Sequence, residues 1–307
     1  MNGLTLFYSN QNDPNDRSKS LRLSVIKFCH RPNLYGDIVR AQQMNTSLGK
    51  PIALGRTAEI YAWGNGQILK LFFDWFPFED IQYELRIAKA IEASGLPVPA
   101  AGEIIQINGR TGLTYQRVEG VAMLAVMAKK PWLLPRFARR MAELHAEMHA
   151  NTAKVGIPNL RQKLTHKINR AEALTPSLRA KTLAKLENMP EGDRLCHGDF
   201  HPANILVAEK EEIIIDWIDA SVGNPLADLA RTSIIILGAV NENQLNNPLL
   251  NIALRSFHAK YLRRYFALRP GGEADYQRWL PIVAAARLSE NIPELEKWLI
   301  AQAEKEI

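Results

Sequence analysis

Three oxygen-bearing side chains stand at a spacing that can do chemistry. Asp199 and Asn204 lie five residues apart in the run 195–207, Leu-Cys-His-Gly-Asp-Phe-His-Pro-Ala-Asn-Ile-Leu-Val, and Asp216 follows twelve residues after Asn204, directly behind the apolar run Ile213-Ile214-Ile215. Short apolar runs bracket the loop. Such a loop can offer one carboxylate to a substrate hydroxyl while an amide oxygen and a second carboxylate converge on a hard cation. Phosphoryl transfer uses those parts, because it needs a group that orients the nucleophile and oxygen ligands for Mg²⁺. Any one of these residues alone reads as a turn former. The joint pattern does not.

Two further charges belong with this set. Lys70 sits in the apolar run Gln67-Ile-Leu-Lys-Leu, where an ammonium needs a partner, and Glu84 on the next helical stretch can supply one. The bland alternatives are an edge strand with Lys70 in water and a solvated helix face for Glu84. His145 and His149 are four apart, but Glu147 is misplaced for a His-Glu-x-x-His zinc motif, so packing or local hydrogen bonding is the expectation. Cys196 beside His197 reads as core rather than as a nucleophile, since strand neighbours point to opposite faces. The run Phe72, Phe73, Trp75, Phe76 and Phe78 reads as packing.

The elements that must hold these residues are legible in outline. Residues 52–54, 59–63 and 67–73 read as strands, with Gly64-Asn65-Gly66 at a reversal that favours positive φ. Residues 79–94 place Ile81, Leu85, Ala88 and Ile91 on one helical face and end at Gly95. Strands at 104–107 and 112–118 flank Asn108-Gly109. Helices follow: 136–150, with Phe137, Met141, Leu144 and Met148 recurring at helical spacing; a start at Thr175-Pro176, with Leu178, Leu183 and Leu186 to bury; another at Asn224-Pro225; and most of 248–307. The expected fold class is α+β, a bilobed arrangement with a small antiparallel-sheet lobe carrying one helix and a larger helical lobe. The divisions fall at 1–43, a weakly structured extension; 44–119, the sheet lobe; and 120–307, the helical lobe. Met44 is a second candidate translation start. A cleft between lobes is the natural ligand site.

Composition narrows the class. The 307 residues are 47% hydrophobic and 23% charged, ordinary for a globular protein and unlike a disordered or fibrous one. The net charge of +6 does not by itself imply nucleic acid. Cys29 and Cys196 are too few for a disulfide framework, which points to a reducing compartment. No stretch reaches the length of a membrane span, and the start lacks the order of a secretory signal, so the expected address is the cytoplasm, without membrane or nucleic-acid partners.

In the Asp-to-Asn spacing and the later Asp after a strand, the chain resembles the protein-kinase-like fold. With His197-Gly198-Asp199 and Asp216-Trp217-Ile218 it resembles the aminoglycoside phosphotransferase and choline-kinase-like family. That resemblance implies an ATP-dependent, Mg²⁺-requiring kinase of a small-molecule hydroxyl, such as an aminoglycoside or another amine-bearing alcohol or sugar. It implies Asp199 as catalytic base and Asn204 and Asp216 as Mg²⁺ ligands. Lys70 would hold the α- and β-phosphates, oriented by Glu84. Gly55 and the residues to Tyr61 would cover the phosphates, although the three glycines of protein kinases are missing there. Gln116 to Val118 would read the adenine edge through backbone groups, Asp228 would brace the catalytic loop, and His197 would bond backbone around Asp199. Asp219 and Glu290 would be acidic contacts for a cationic acceptor. Two rival readings are a catalytically silent nucleotide-binding scaffold and a metal-dependent phosphoesterase built on His197, Asp199, His201 and Asp216.

Overall fold

Alternation of apolar and polar positions builds the N-terminal sheet. The computed structural model describes residues 43–44, 47–64, 66–152, 156–241 and 247–305. The expected extension at 1–43 therefore lies outside the described residues except for Gln43, as does Asn65 of the first reversal. Strands β1 (Gln43–Met44), β2 (Ala53–Leu54), β3 (Ala58–Trp63), β4 (Gln67–Phe72), β5 (Ala101–Ile107) and β6 (Arg110–Gln116) pair in the order β1-β5-β6-β4-β3-β2, and helix α1 (Phe78–Glu92) connects β4 to β5. All neighbours are antiparallel except β1 with β5. Asn108 and Gly109 both adopt positive φ, 51° and 82°, as the two-residue reversal between β5 and β6 demands.

The pleat decides where Lys70 goes. Leu69 and Leu71 join Tyr61, Ile105 and Ile107 on one face of the sheet. Phe72 joins Ala58, Ile104, Leu113 and Ile81 of α1 on the other. Lys70 shares the Phe72 face by the period of two, so it points toward α1. That helix buries Ile81, Glu84, Ile87 and Ile91. The expected face was wrong in its middle: Leu85 and Ala88 are only half-buried, and Glu84 and Ile87 take the inward positions. A buried glutamate opposite a strand lysine explains the shift, because the pair needs the inward stripe that an apolar-only reading gave to Leu85.

The C-terminal part is helical with small sheets set into it. Strand β7 (Gly120–Ala122) and helices α2 (Met123–Lys129), α3 (Leu134–Met148), α4 (Leu160–Arg170) and α5 (Pro176–Glu187) lead to β8 (Arg194–Cys196), β9 (Ile205–Ala208), β10 (Glu212–Ile214) and β11 (Ser221–Gly223). Helices α6 (Pro225–Asn241), α7 (Pro248–Leu268), α8 (Glu273–Arg287) and α9 (Glu296–Ala303) complete it. Strands β10, β9 and β7 form one sheet, and β11 pairs with β8. Phe137, Met141, Leu144 and Met148 of α3 are buried as the periodicity predicts, in a single large core with Phe200, Trp217, Tyr261 and Trp279. Thr175 caps α5 by accepting from Leu178 N, although Leu178 and Leu183 are half-buried and Thr182 is the inward residue beside Leu186. The stretches that become α2, α4, β7 and β11 carried no sequence expectation.

Met141 is fully buried. Met141→Ala is expected to lower unfolding stability by about 2–5 kcal/mol, the range for large-to-alanine core changes, read from the midpoint of denaturant unfolding.

Candidate active site

The loop between β8 and β9 carries Asp199 and Asn204, and the residues after β10 carry Asp216. Two backbone-level stitches hold these segments together. Ile215 N donates to Asn204 O at 3.0 Å, and His197 Nε2 donates to Ile215 O at 3.1 Å. His197 is fully buried, and its Nδ1 accepts from Asp199 N at 3.2 Å, which sets the tautomer and spends both ring nitrogens on the loop. Burial first, against the nearby carboxylates, keeps its pKa below the ordinary value.

Asp228 anchors the loop from α6. Its Oδ2 accepts from His197 N at 2.7 Å and its Oδ1 from Gly198 N at 2.8 Å. Oδ2 also faces His145 Nε2 at 3.1 Å and His149 Nε2 at 3.2 Å. Each imidazole turns its other nitrogen to a tyrosine of α7: His145 Nδ1 to Tyr261 at 2.5 Å and His149 Nδ1 to Tyr265 at 2.6 Å. With a phenol donating to Nδ1, Nε2 carries the proton and donates to Asp228. Among the described residues these three make a cluster of histidines and a carboxylate close enough to hold a metal, yet each ring nitrogen is matched to a hydrogen-bond partner. It is a packing network, as the sequence reading expected of the two histidines.

Gly198 has φ of 80°, and a Cβ there would run into the backbone oxygen of Asp219. The loop therefore needs glycine at this position twice over, for backbone angle and for space. Asp216 adopts φ of 64°, a left-handed conformation costly for a non-glycine residue and common at functional sites.

Around Asp199 the field is positive. Its Oδ2 lies 3.3 Å from His201 Nε2 and its Oδ1 lies 3.5 Å from Arg231 Nη2. His201 Nδ1 accepts from Ala203 N at 3.2 Å, so the proton sits on Nε2 and points at Asp199. Burial would raise the Asp199 carboxyl, but the hydrogen bond from His201, with Arg231 and His197 behind it, outweighs that and holds it far below the carboxylate range. Asn204 Nδ2 donates to Asp199 O at 2.9 Å and Oδ2 at 3.2 Å. With its nitrogen committed, the amide has Oδ1 left for a cation. An amide oxygen and a carboxylate, as Asn204 and Asp216 offer, are hard ligands of the kind Mg²⁺ takes rather than a soft transition metal.

Across the cleft, Lys70 Nζ bonds both oxygens of Glu84, at 2.7 and 2.9 Å, and Tyr115 Oη donates to Glu84 Oε1 at 2.9 Å. Burial would lower the Lys70 pKa, but Glu84 and then Asp216 more than offset it, so the ammonium persists. The Asp216 carboxylate thus contributes to the field at the Lys70 ammonium. Gly55 N donates to Ala58 O at 2.8 Å, closing the turn into β3. Gln116 N and Arg117 N donate to Ala100 O and Gly66 O, each at 2.8 Å. Within 116–118, Val118 is then the residue whose amide is not spent on a backbone carbonyl among the described residues. Asp219 and Glu290 lie on the helical side, each in ion pairs with basic residues.

Sequence reasoning missed Tyr115, Arg231, Lys163 and Lys167. Arg231 stands three residues after Asp228 on α6, and Lys163 and Lys167 stand four apart on α4, spacings that put each pair on one helical face. Their partners are distant in sequence, so spacing alone did not reveal what that face meets.

A small antiparallel sheet over a helical lobe, with a carboxylate-bearing loop opposite a strand lysine and helix glutamate, is the architecture of a protein-kinase-like phosphotransferase. Residues 49–286 match the phosphotransferase enzyme family, and the chain belongs to it. Among solved structures it is similar to a choline/ethanolamine kinase family protein from Mesorhizobium loti, at 14% identity and TM-score 0.53, covering 85% of this chain and 89% of that one. It is similar to an aminoglycoside-3'-phosphotransferase of type VIII, at 19% identity and TM-score 0.52, with 78% and 89% covered. It is also similar to an aminoglycoside phosphotransferase solved as a ternary complex with streptomycin and ATP, at 13% identity and TM-score 0.53, with 84% and 91% covered. At these identities the likeness is one of fold. No curated protein matches the chain. Among the described residues no helix is long and apolar enough to cross a membrane.

Two expected outcomes follow from the loop and its anchor. The folded state keeps His149 unprotonated down to about pH 3, chiefly by burial and then by His145, whereas an unfolded chain protonates it near 6.5. The unfolded state therefore binds more protons in that window, and stability falls as pH drops from 6.5 toward 3, by at most about 1.4 kcal/mol per pH unit for this group. Urea unfolding across that range should show a shallower slope for His149→Gln. Gly198→Ala should cost roughly 1–3 kcal/mol of stability from the backbone conflict, read the same way.

Proposed function

We propose that the chain is an ATP-dependent, Mg²⁺-requiring kinase that phosphorylates a hydroxyl of a small molecule in the cytoplasm. In this reading residues 44–119 hold the nucleotide, and residues 120–307 supply the reactive loop and the acceptor site. The observation that carries it is the meeting of two charge sets: Asp199, Asn204 and Asp216 on one stitched segment, and the Lys70–Glu84 pair whose lysine feels Asp216. Family membership supports a phosphoryl group as the cargo.

Each residue then has a physical task. Lys70, locked by both Glu84 oxygens, offers a fixed positive charge to the α- and β-phosphates without spending side-chain entropy at the moment of binding. Val118 presents its amide to the adenine edge at the end of β6, Gln116 positions that turn through Ala100, and the turn at Gly55 covers the phosphates. Asn204 Oδ1 and Asp216 would hold Mg²⁺, which when bound supplies positive charge that offsets charge on the transferring phosphates. Asp199 orients the acceptor hydroxyl and receives its proton as the oxygen becomes phosphorylated. A carboxylate held this far below its usual range is a weak base. That suits a loose transition state, in which aiming the nucleophile matters more than proton affinity.

His197 and Asp228 do not touch substrate in this scheme; they hold the loop. The phosphoesterase alternative needs His197 as a metal ligand, and both of its ring nitrogens are engaged with Ile215 O and Asp199 N.

The test is ATP consumption by purified protein against aminoglycosides, amino alcohols, sugars and vitamins, with product masses checked for phosphoryl addition. Asp199→Asn should lower turnover roughly 10²- to 10⁴-fold while nucleotide affinity holds. Undiminished turnover in that variant would remove Asp199 from its role.

A further inference from the structure

Beneath the reactive loop lies a recess of about 40 Å³, bounded by α4, β11, α6 and α8 and roofed by Gly198. Four cations line it: Lys163, Lys167, Arg231 and Arg287. Two carboxylates hold them in place. Asp219 Oδ1 meets Lys163 Nζ at 3.3 Å and Lys167 Nζ at 3.1 Å, and its backbone oxygen takes a further bond from Lys163 at 2.8 Å. Glu290 meets Arg231 at 2.6 Å, Arg287 at 3.7 Å and Lys167 at 3.8 Å.

Both acids are thus outnumbered by the cations they touch. An ammonium group approaching either would meet a lysine or arginine already seated on the same oxygens, and like charges this close repel strongly in a partly desolvated site. The four cations are matched in number by the carboxylates of Asp199, Asp219, Asp228 and Glu290, but Asp228 turns its lone pairs to two backbone amides and two imidazoles and makes no ion pair with any of the four. The Lys163 pKa moves the same way: burial lowers it first, Asp219 opposes, and Lys167 and Arg231 lower it again, so another anion beside it would be welcome.

A second, independent feature points to a ligand. Ser221 Oγ is fully buried, lines the recess and has no hydrogen-bond partner. An unsatisfied buried hydroxyl is costly, and it is a donor when an oxyanion arrives. The space suits a small group. At roughly 10–15 Å³ for each water centre, the recess has room for a carboxylate.

We infer that the acceptor is a hydroxy acid, whose carboxylate enters this recess among Lys163, Lys167, Arg231 and Ser221 while one of its hydroxyls reaches Asp199. The inference rests on the kinase reading for its hydroxyl and on the recess for its carboxylate. Asp219 and Glu290, expected from resemblance to meet a cationic acceptor, instead preorganise the cations that receive an anion.

The matched probes are gluconate, gluconamide and glucamine, one polyol skeleton ending in an anion, a neutral amide and a cation. Glycerate and glyceramide repeat the comparison on a shorter chain, and kanamycin serves as the polycation. Calorimetric titration of the full chain in the presence of a non-hydrolysable ATP analogue and Mg²⁺ should give a carboxylate member binding roughly ten-fold or more tightly than its amide, with glucamine and kanamycin weaker still. Lys167→Met should erase that preference and Lys167→Arg should keep it. Lys163→Met is the second variant should Lys167→Met fail to fold. Equal binding of acid and amide, preference for glucamine or kanamycin, or no saturable binding of either acid overturns the inference. The two readings fail separately. Phosphorylated glucamine or kanamycin with no acid preference keeps the kinase and removes the hydroxy acid, whereas tight gluconate without ATP consumption keeps the anion site and removes the kinase.

Discussion

The carboxylate of Asp228 is the constraint on which the rest of the site depends. A fully buried anion is tolerable only when its lone pairs are filled, and this one takes two backbone amides from the loop and two imidazoles from the last turn and C-cap of α3. The filling is what fixes geometry. The amides of His197 and Gly198 cannot move without exposing that charge to an apolar core, so the loop bearing Asp199 is held at the junction of α3, α6 and α7. His197 extends the same logic to the next segment, because its two ring nitrogens tie Asp199 N to Ile215 O and bring Asp216 alongside.

Electrostatics divides the cleft into two unlike halves. On the sheet side a single ammonium is held by Glu84, which also accepts from Tyr115 Oη. On the helical side the carboxylates of Asp199, Asp219 and Glu290 sit among lysines and arginines, and burial by itself would push those of Asp199 and Asp219 up. Asp219 is held down to about 2 because Lys167, Lys163 and Arg231 outweigh its burial. Asp199 stays ionised for the same kind of reason, with His201 as the leading contributor. The site thus keeps its anions charged by crowding cations around them.

The fold class and the separation into a sheet part and a helical part were legible in local patterns. Asn108-Gly109 marked its hairpin because positive φ at both residues suits few others, Thr175-Pro176 marked a helix start through its cap, and the period of α3 marked its buried face. The inward face of α1 was misread at Leu85 and Ala88, since an apolar stripe was assumed where a charged residue was turned inward by a partner on another element. Short elements such as α2, β7 and β11 were missed because three to seven residues carry too little periodic signal and their pairing partners are remote in sequence.

For the site, spacing along the chain was enough to single out Asp199, Asn204 and Asp216, because one loop and one hairpin carry all three and local geometry nearly obliges them to meet. The same locality suggested Lys70 with Glu84, one strand and one helix apart. What sequence could not decide was the company these residues keep. Tyr115, His201's orientation, the histidine pair on Asp228 and the four cations around Asp219 and Glu290 come from separate helices and strands, and only their packing brings them within hydrogen-bonding distance. Chemical type and spacing are written in the chain; the sign of the field at each carboxylate is a sum over neighbours that exist only once the chain has folded.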